Sequence, residues 1–298
     1  MTSVIGLRRG PKGAPRARSL GDRDVAEALA VCATDPVGSA LAAARLVQAT
    51  RTGLRSTGGV AWGYPETGPL EAVCWAGANI VPVVPAAADR DAALAAFASA
   101  AERHGRRSSS IVGDRDAVLA LWALLRRAWP EAREVRDDQP SLAIGHDPVL
   151  AADPAVRRAT PDEFSVVLPA CVRMFVEEVG YSPVSGGGRA YEDRVRSLIA
   201  EGRSFVRRGT GDGAAPIEFK AELGAVTPHV AQVQGVWVDP RLRGRGLAAH
   251  GMAAVVRLTR AQVAPVVSLY VNRYNERALR AYERAGFEQV GTCATVLF

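Results

Sequence analysis

Residues 233–249, VQGVWVDPRLRGRGLAA, constrain this chain more than any other stretch. Val236, Trp237 and Val238 are β-branched or aromatic and predict a buried strand, which Asp239-Pro240 ends by removing an amide donor and fixing a turn. Arg243-Gly244-Arg245-Gly246-Leu247-Ala248 then sets glycines where side chains would block approach to the backbone, and good helix formers run from Leu247 to Leu258. The first amides of such a helix lack partners within it and lie at its positive dipole end, so they form a site for phosphate oxygens. Arg243 and Arg245 add positive charge there.

A second ordered pattern follows. Val266–Val271 (VVSLYV) reads as a strand, after which Asn275, Ala278, Tyr282, Gly286 and Phe287 fall at set offsets along a helix and its exit. Taken together, Arg243-x-x-Gly246-x-Ala248 behind a strand and this later series resemble the GCN5-related N-acetyltransferases, the GNAT family, over about residues 155–298. The resemblance implies acetyl-coenzyme A as co-substrate and no metal. It places Val236, Trp237, Val238, Arg243, Gly244, Arg245, Gly246, Leu247, Ala248, Ala249 and Asn275 against the coenzyme. It also implies that strands 233–238 and 266–271 splay to admit the pantetheine arm, whose amides meet the backbone of Val236 and Val238. An amide at Val238 would polarise the thioester carbonyl, and Tyr282 would be the acid for the leaving thiolate. Helix packing with Ala278 and Ala285 would equally explain Tyr282, and capping would explain Asn275.

The base is the open position. GNAT members often carry Glu on the strand before the cradle, whereas this chain has Gln232 and Gln234, which cannot take a proton. Glu218 and Glu222 share a face by the period of two and are the candidate bases, directly or through water. His229 and His250 are alternatives, with His250 expected on the outer helix as a surface or packing residue.

Composition narrows the classes. The formal charge of +6 and pI near 9.5 come almost wholly from arginine, Lys12 and Lys220 being the lysines. The arginines are interspersed with acids, with no basic stripe and interleaved aromatics, so nucleic acid is not the expected partner. No apolar run approaches the roughly 20 residues of a membrane span, and the N-terminus has no signal-peptide pattern, which predicts a cytoplasmic protein with no membrane partner. Cys32, Cys74, Cys171 and Cys293 have neither metal-site spacing nor a disulfide framework and read as reduced, mostly buried thiols.

In chain order, residues 1–20 predict a flexible basic arm. Residues 21–150 predict helices over 22–31 and 36–47, strands 60–64, 70–76 and 80–84, a helix 91–104, a strand 109–112 and a helix 114–129. That repeats the plan of the second half without its motifs. Gly113-Asp-Arg is a possible phosphate turn, but Asp114 and Asp116 would repel an anion, so a structural role is expected. Residues 145–154 predict a linker, and residues 151–298 the catalytic domain: strand 156–159, a cap at Thr160–Glu163, helix 164–179, a loop through Gly180–Pro183 and Gly186–Gly188, helix 191–200, strand 205–208, a turn 209–213, and strands 217–226 and 230–238. The expected fold is α+β, two GNAT-like domains in tandem, each a mostly antiparallel mixed sheet with flanking helices; the resemblance extends to tandem actinobacterial members with a degenerate first domain. The expected activity is acetyl transfer from acetyl-coenzyme A to a primary amine of a small molecule or protein in a ternary complex. The alternative is a non-catalytic module that senses acyl-coenzyme A or binds protein or RNA. Oligomeric state is left open.

Overall fold

The computed structural model describes residues 15–185, 188–209 and 216–298. Most of the expected arm, Gly186-Gly187 and most of the 209–213 turn therefore lie outside the described residues. The first half runs β1 (Arg18–Ser19), α1 (Val25–Cys32), α2 (Ala40–Thr52), β2 (Val60–Tyr64), β3 (Ala72–Ala76), β4 (Asn79–Val83), α3 (Arg90–His104), β5 (Ser110–Asp114), α4 (Arg115–Leu125) and β6 (Glu134–Ile144). The second runs β7 (Arg157–Arg158), α5 (Phe164–Val179), α6 (Arg189–Ala200), β8 (Ser204–Arg208), β9 (Ile217–Val226), β10 (Val230–Val238), α7 (Leu247–Gln262), β11 (Val266–Tyr270), α8 (Glu276–Arg284) and β12 (Glu288–Leu297).

Local chemistry explains the boundaries. Asp89 and Asp114 cap α3 and α4 by accepting from Ala92 N and Ala117 N at 3.1 and 3.0 Å, giving Asp114 the structural role its charge predicts. Ahead of α5, Thr160 N and Oγ1 donate to Glu163 Oε2 at 3.0 and 3.1 Å. Glu163 also takes two 2.7 Å bonds from Arg157 and one of 3.1 Å from Arg208. Arg157 first, then the Thr160 and Arg208 bonds, hold its carboxyl down at about 2 against the opposing effect of burial. Arg18–Ser19 pairs with β2 and Leu20 is buried, so the chain is anchored earlier than an arm to residue 20 would be.

The strands form one twelve-stranded mixed sheet in the order β1-β2-β3-β4-β5-β12-β6-β11-β10-β9-β8-β7. Each half follows the same plan, and each is completed by the other's last strand. β12 enters between β5 and β6, while β6 enters between β12 and β11. The tandem mixed-sheet expectation therefore holds, but the sheet does not divide at residue 150. Helices α5 and α6 cover one face with Val206, Ile217 and Trp237. On the same side α1 and α2 pack against Val73, Val83 and Tyr270. The other face carries α7 and α8 over Phe205, Phe219 and Val267, and α3 and α4 over Ile80, Ile111 and Val296.

Candidate functional site

Strands β10 and β11 pair in parallel at Val230/Val266, Ala231/Val267 and Gln232/Ser268, and no pairing follows. Beyond Gln232 a gap opens along the rest of β10. Asp239 N donates to Glu218 O at 2.9 Å, toward β9, so strand alternation turns the N–H and C=O of Val238 into the gap. The carbonyl is taken: Arg243 Nε donates to it at 3.0 Å, and Arg243 Nη2 reaches Glu177 Oε2 of α5 at 2.5 Å. Arg243 thus ties the loop to the strand end and to α5. Trp237 pairs with Lys220 through its backbone and sends its indole N–H to Glu177 Oε1 at 3.2 Å, away from the gap.

The loop that follows turns through Gly244 and Gly246, both left-handed at φ +80° and +83°. Gly246 caps α7 without a side-chain bond, which leaves the first amides of the helix, those of Leu247 and Ala248, open. A Cβ added at Gly246 would meet only the His250 ring, at ordinary contact distance. Arg245 lines a neighbouring cavity of about 240 Å³ with Ala151–Pro154, Arg207, Leu247 and His250. Ala249 is buried against the sheet. His250 is a packing residue: its Nδ1 lies 2.8 Å from Ala151 O, and its own carbonyl accepts from Asp153 N. His229 is exposed on the β9–β10 turn, at the other end of β10.

Behind the gap, β10 bulges between Gln234 and Trp237, with Gly235 at φ +60°. A methyl group on Gly235 would lie 3.0 Å from Met174 Sδ, 3.2 Å from Lys220 Nζ and 3.3 Å from Glu222 Oε2, so the position takes glycine for space as well as for φ. Lys220, fully buried, donates to Gly235 O at 3.0 Å and to Met174 Sδ at 3.4 Å, and forms a 2.6 Å ion pair with Glu222. Cys171 Sγ donates to Glu222 at 3.4 Å, and Arg194 stands 3.8 Å away. Burial alone would push Glu222 up and Lys220 down. Their mutual attraction outweighs it, holding the carboxyl below its ordinary range and the ammonium above.

The expectation that Glu218 and Glu222 share a face is corrected here. A register shift at Arg207/Arg208 in the β8–β9 pairing breaks the alternation. Glu218 turns to the α7 side, accepting from Arg207 Nε at 2.7 Å, and Arg207 in turn binds Asp153. Glu222 lies on the α5 side. Asn275 accepts from Ala278 N at 3.2 Å and caps α8 as expected. Tyr282, on the inner face of α8 with Ala278 and Ala285, packs edge-on to Phe287 at 6.0 Å, and burial raises its phenol well above the ordinary value.

The first half has the topology without this site. β4 and β5 pair at Asn79/Ser110 and Ile80/Ile111. What differs is the helix start: Asp114 caps α4 by accepting from Ala117 N at 3.0 Å, which sets a carboxylate where the second half leaves open amides.

Comparison with known proteins agrees with this division. The sequence profile of the GNAT acetyltransferase family matches residues 189–287. A profile described as a domain of unknown function, DUF4081, matches residues 59–167. A mycothiol acetyltransferase from Brachybacterium faecium is 39% identical over 73 residues, 24% of this chain; the match spans only 22% of that relative's length. Among solved structures, a Drosophila protein has a TM-score of 0.65 at 12% identity, covering 95% of this chain and 99% of its own. A tandem GNAT protein from the clavulanic acid biosynthesis pathway has 0.56 at 14% identity, covering 95% and 98%. A GNAT-family acetyltransferase from Colwellia psychrerythraea has 0.56 at 11%, covering 95% and 99%. At such identities these likenesses speak for the fold. The splayed strands and the glycine turn into α7 both fall within residues 189–287, the stretch that matches the GNAT acetyltransferase family.

Proposed function

We propose that this protein transfers the acetyl group of acetyl-coenzyme A to a primary amine by direct attack in a ternary complex, with residues 151–298 and β6 as the catalytic unit. The observation that carries the reading is the gap beyond Gln232/Ser268, opening beside a helix start whose first amides are free. The coenzyme supplies the acyl group as an activated thioester. Leu247 and Ala248 N–H hold its diphosphate, with the Arg245 guanidinium adding charge. The backbone at Val236 and Val238 bonds the pantetheine arm as a neighbouring strand would, and an amide on this edge polarises the carbonyl.

The Tyr282 phenol gives its proton to the departing sulfur. Because burial lifts the phenol above a thiol, whose ordinary pKa is about 8.5, the proton moves in concert with C–S cleavage rather than before it. Glu218 is bonded to Arg207 at 2.7 Å, and Glu222, held by Lys220 below the ordinary carboxylate range, is a poor proton acceptor. Glu222 instead fixes Lys220 against the bulge; the amine attacks in its neutral form, and the proton its nitrogen sheds as the amide forms restores the Tyr282 phenol. The four buried, unpaired cysteines fit a reducing compartment, and we place the protein in the cytoplasm.

The test is calorimetric titration with acetyl-coenzyme A, followed by thiol release across an amine library that includes the acceptor of the mycothiol acetyltransferase relative. Binding and amine-dependent thiol release support the reading. Binding with no release for any amine would leave an acyl-coenzyme A sensor, and absence of binding would refute both.

A further inference from the structure

A cleft of about 760 Å³ runs beside α2, on the sheet face that carries α1, α2, α5 and α6. Its floor includes Gly224–Pro228 at the β9–β10 turn, the end of β10 opposite to the one that enters the cradle. Arg45 and Arg51 of α2 and Arg203, just past α6, converge on it from the two halves of the chain. Glu201 is the acid in the lining, and it is paired with Arg203 at 2.9 Å. Arg45 bonds Gln48 Oε1 at 3.3 Å, and among the described residues neither Arg45 nor Arg51 has a carboxylate partner. Burial, then the nearby charges of Arg194 and Arg203, make the Arg45 guanidinium less basic than usual. The fold thus gathers like charges and leaves two of them unneutralised. Six residues along a helix place Arg45 and Arg51 about 9 Å apart along its axis, too far to share one small anion.

We propose that this cleft binds a small molecule carrying at least two anionic groups, carboxylate or phosphate, one held by Arg45 with Arg203 and another by Arg51, with Gln48 between them. A planar guanidinium fork with no acid of its own suits such groups. The site is separate from the coenzyme cradle and goes beyond the acetyl-transfer reading.

Two probes, citrate and inorganic pyrophosphate, are titrated calorimetrically into the full chain at low and high sodium chloride. Wild type, an Arg45→Gln/Arg51→Gln variant and a Gly246→Glu variant that closes the cradle are compared. At least one probe should bind wild type and Gly246→Glu alike, weaken with salt, and lose about tenfold or more in affinity in the double arginine variant. Which probe binds tells carboxylate from phosphate chemistry. Thermal melts without probe should show the double variant no less stable than wild type, so that a loss of binding is not a loss of fold. The proposal is overturned if neither probe binds wild type, if the double variant binds as wild type does, or if binding disappears in Gly246→Glu and survives in the double variant.

Discussion

Replacing Lys220 by methionine removes the cation from a site that is 0% exposed and leaves Glu222 beside the bulge with a side chain only 6% exposed. The remaining positive group is Arg194 at 3.8 Å, itself 44% exposed. Stripping one partner from a buried ion pair costs about 3–5 kcal/mol, and Arg194 places this case near the lower end, at about 3 kcal/mol. Replacing both, Lys220→Met with Glu222→Leu, removes the stranded charge and should recover most of that loss. The pH dependence adds a signature of sign. In wild type the folded Glu222 carboxyl is held below its unfolded value, so its contribution is present above the ordinary carboxylate range and is lost as pH falls through the folded pKa. In the single variant burial is opposed only by Arg194 and the Cys171 bond and raises it, so the penalty is small below the ordinary range and grows as pH rises. Urea unfolding at pH 3 reads the wild-type loss, and at pH 5 and pH 7.5 the slope of the single variant. The reasoning is refuted if the single variant loses less than about 1 kcal/mol at pH 7.5, or if single and double variants are equally destabilised with the same pH slope.

Gly246→Glu should abolish acetyl-coenzyme A binding in calorimetry; the left-handed φ of +83° adds about 1–2 kcal/mol of strain without unfolding the domain. Unchanged affinity would remove the cradle. Tyr282→Phe should lower kcat by tenfold or more with coenzyme affinity kept, and equal turnover would exclude the phenol as the acid. Glu163→Gln weakens the charged bonds from Arg157 and Arg208 and should cost about 1.5–3 kcal/mol at pH 7 by urea unfolding. Because the Glu163 carboxyl sits at about 2, below its unfolded value, that difference should persist down to the ordinary carboxylate range and shrink as pH falls from there toward 2.

The cradle was legible because its signals are local: a proline stops β10, glycines make the turn, and helix formers begin α7. α5, β9 and β10 read from their own patterns to the same ends for the same reason. β6 and β12 did not. β6 opens with Glu134-Val-Arg-Asp-Asp138 and contains Pro140, and β12 carries Gly291 with two breaks of register. Neither alternates cleanly, because each is held as a strand by a partner more than a hundred residues away. The site behind the bulge was hidden by a different fact. Lys220 and Glu222 alternate with Phe219, Ala221 and Leu223 and look like the wet side of a strand, until α5 and α6 cover it. The face shared by Glu218 and Glu222 failed on one extra residue opposite Arg207/Arg208, since a single slip reverses every side chain beyond it.

The crossing of β6 and β12 ties the history of the chain to its assembly. During synthesis the first half leaves the ribosome without the strand that seals β5 and must wait for the final residues of the second, so the halves finish folding together. A first half that has no cradle can still not be dispensed with, because excising it would leave β11 with a bare, aggregation-prone edge. Interlocking of this kind makes each half a structural condition of the other.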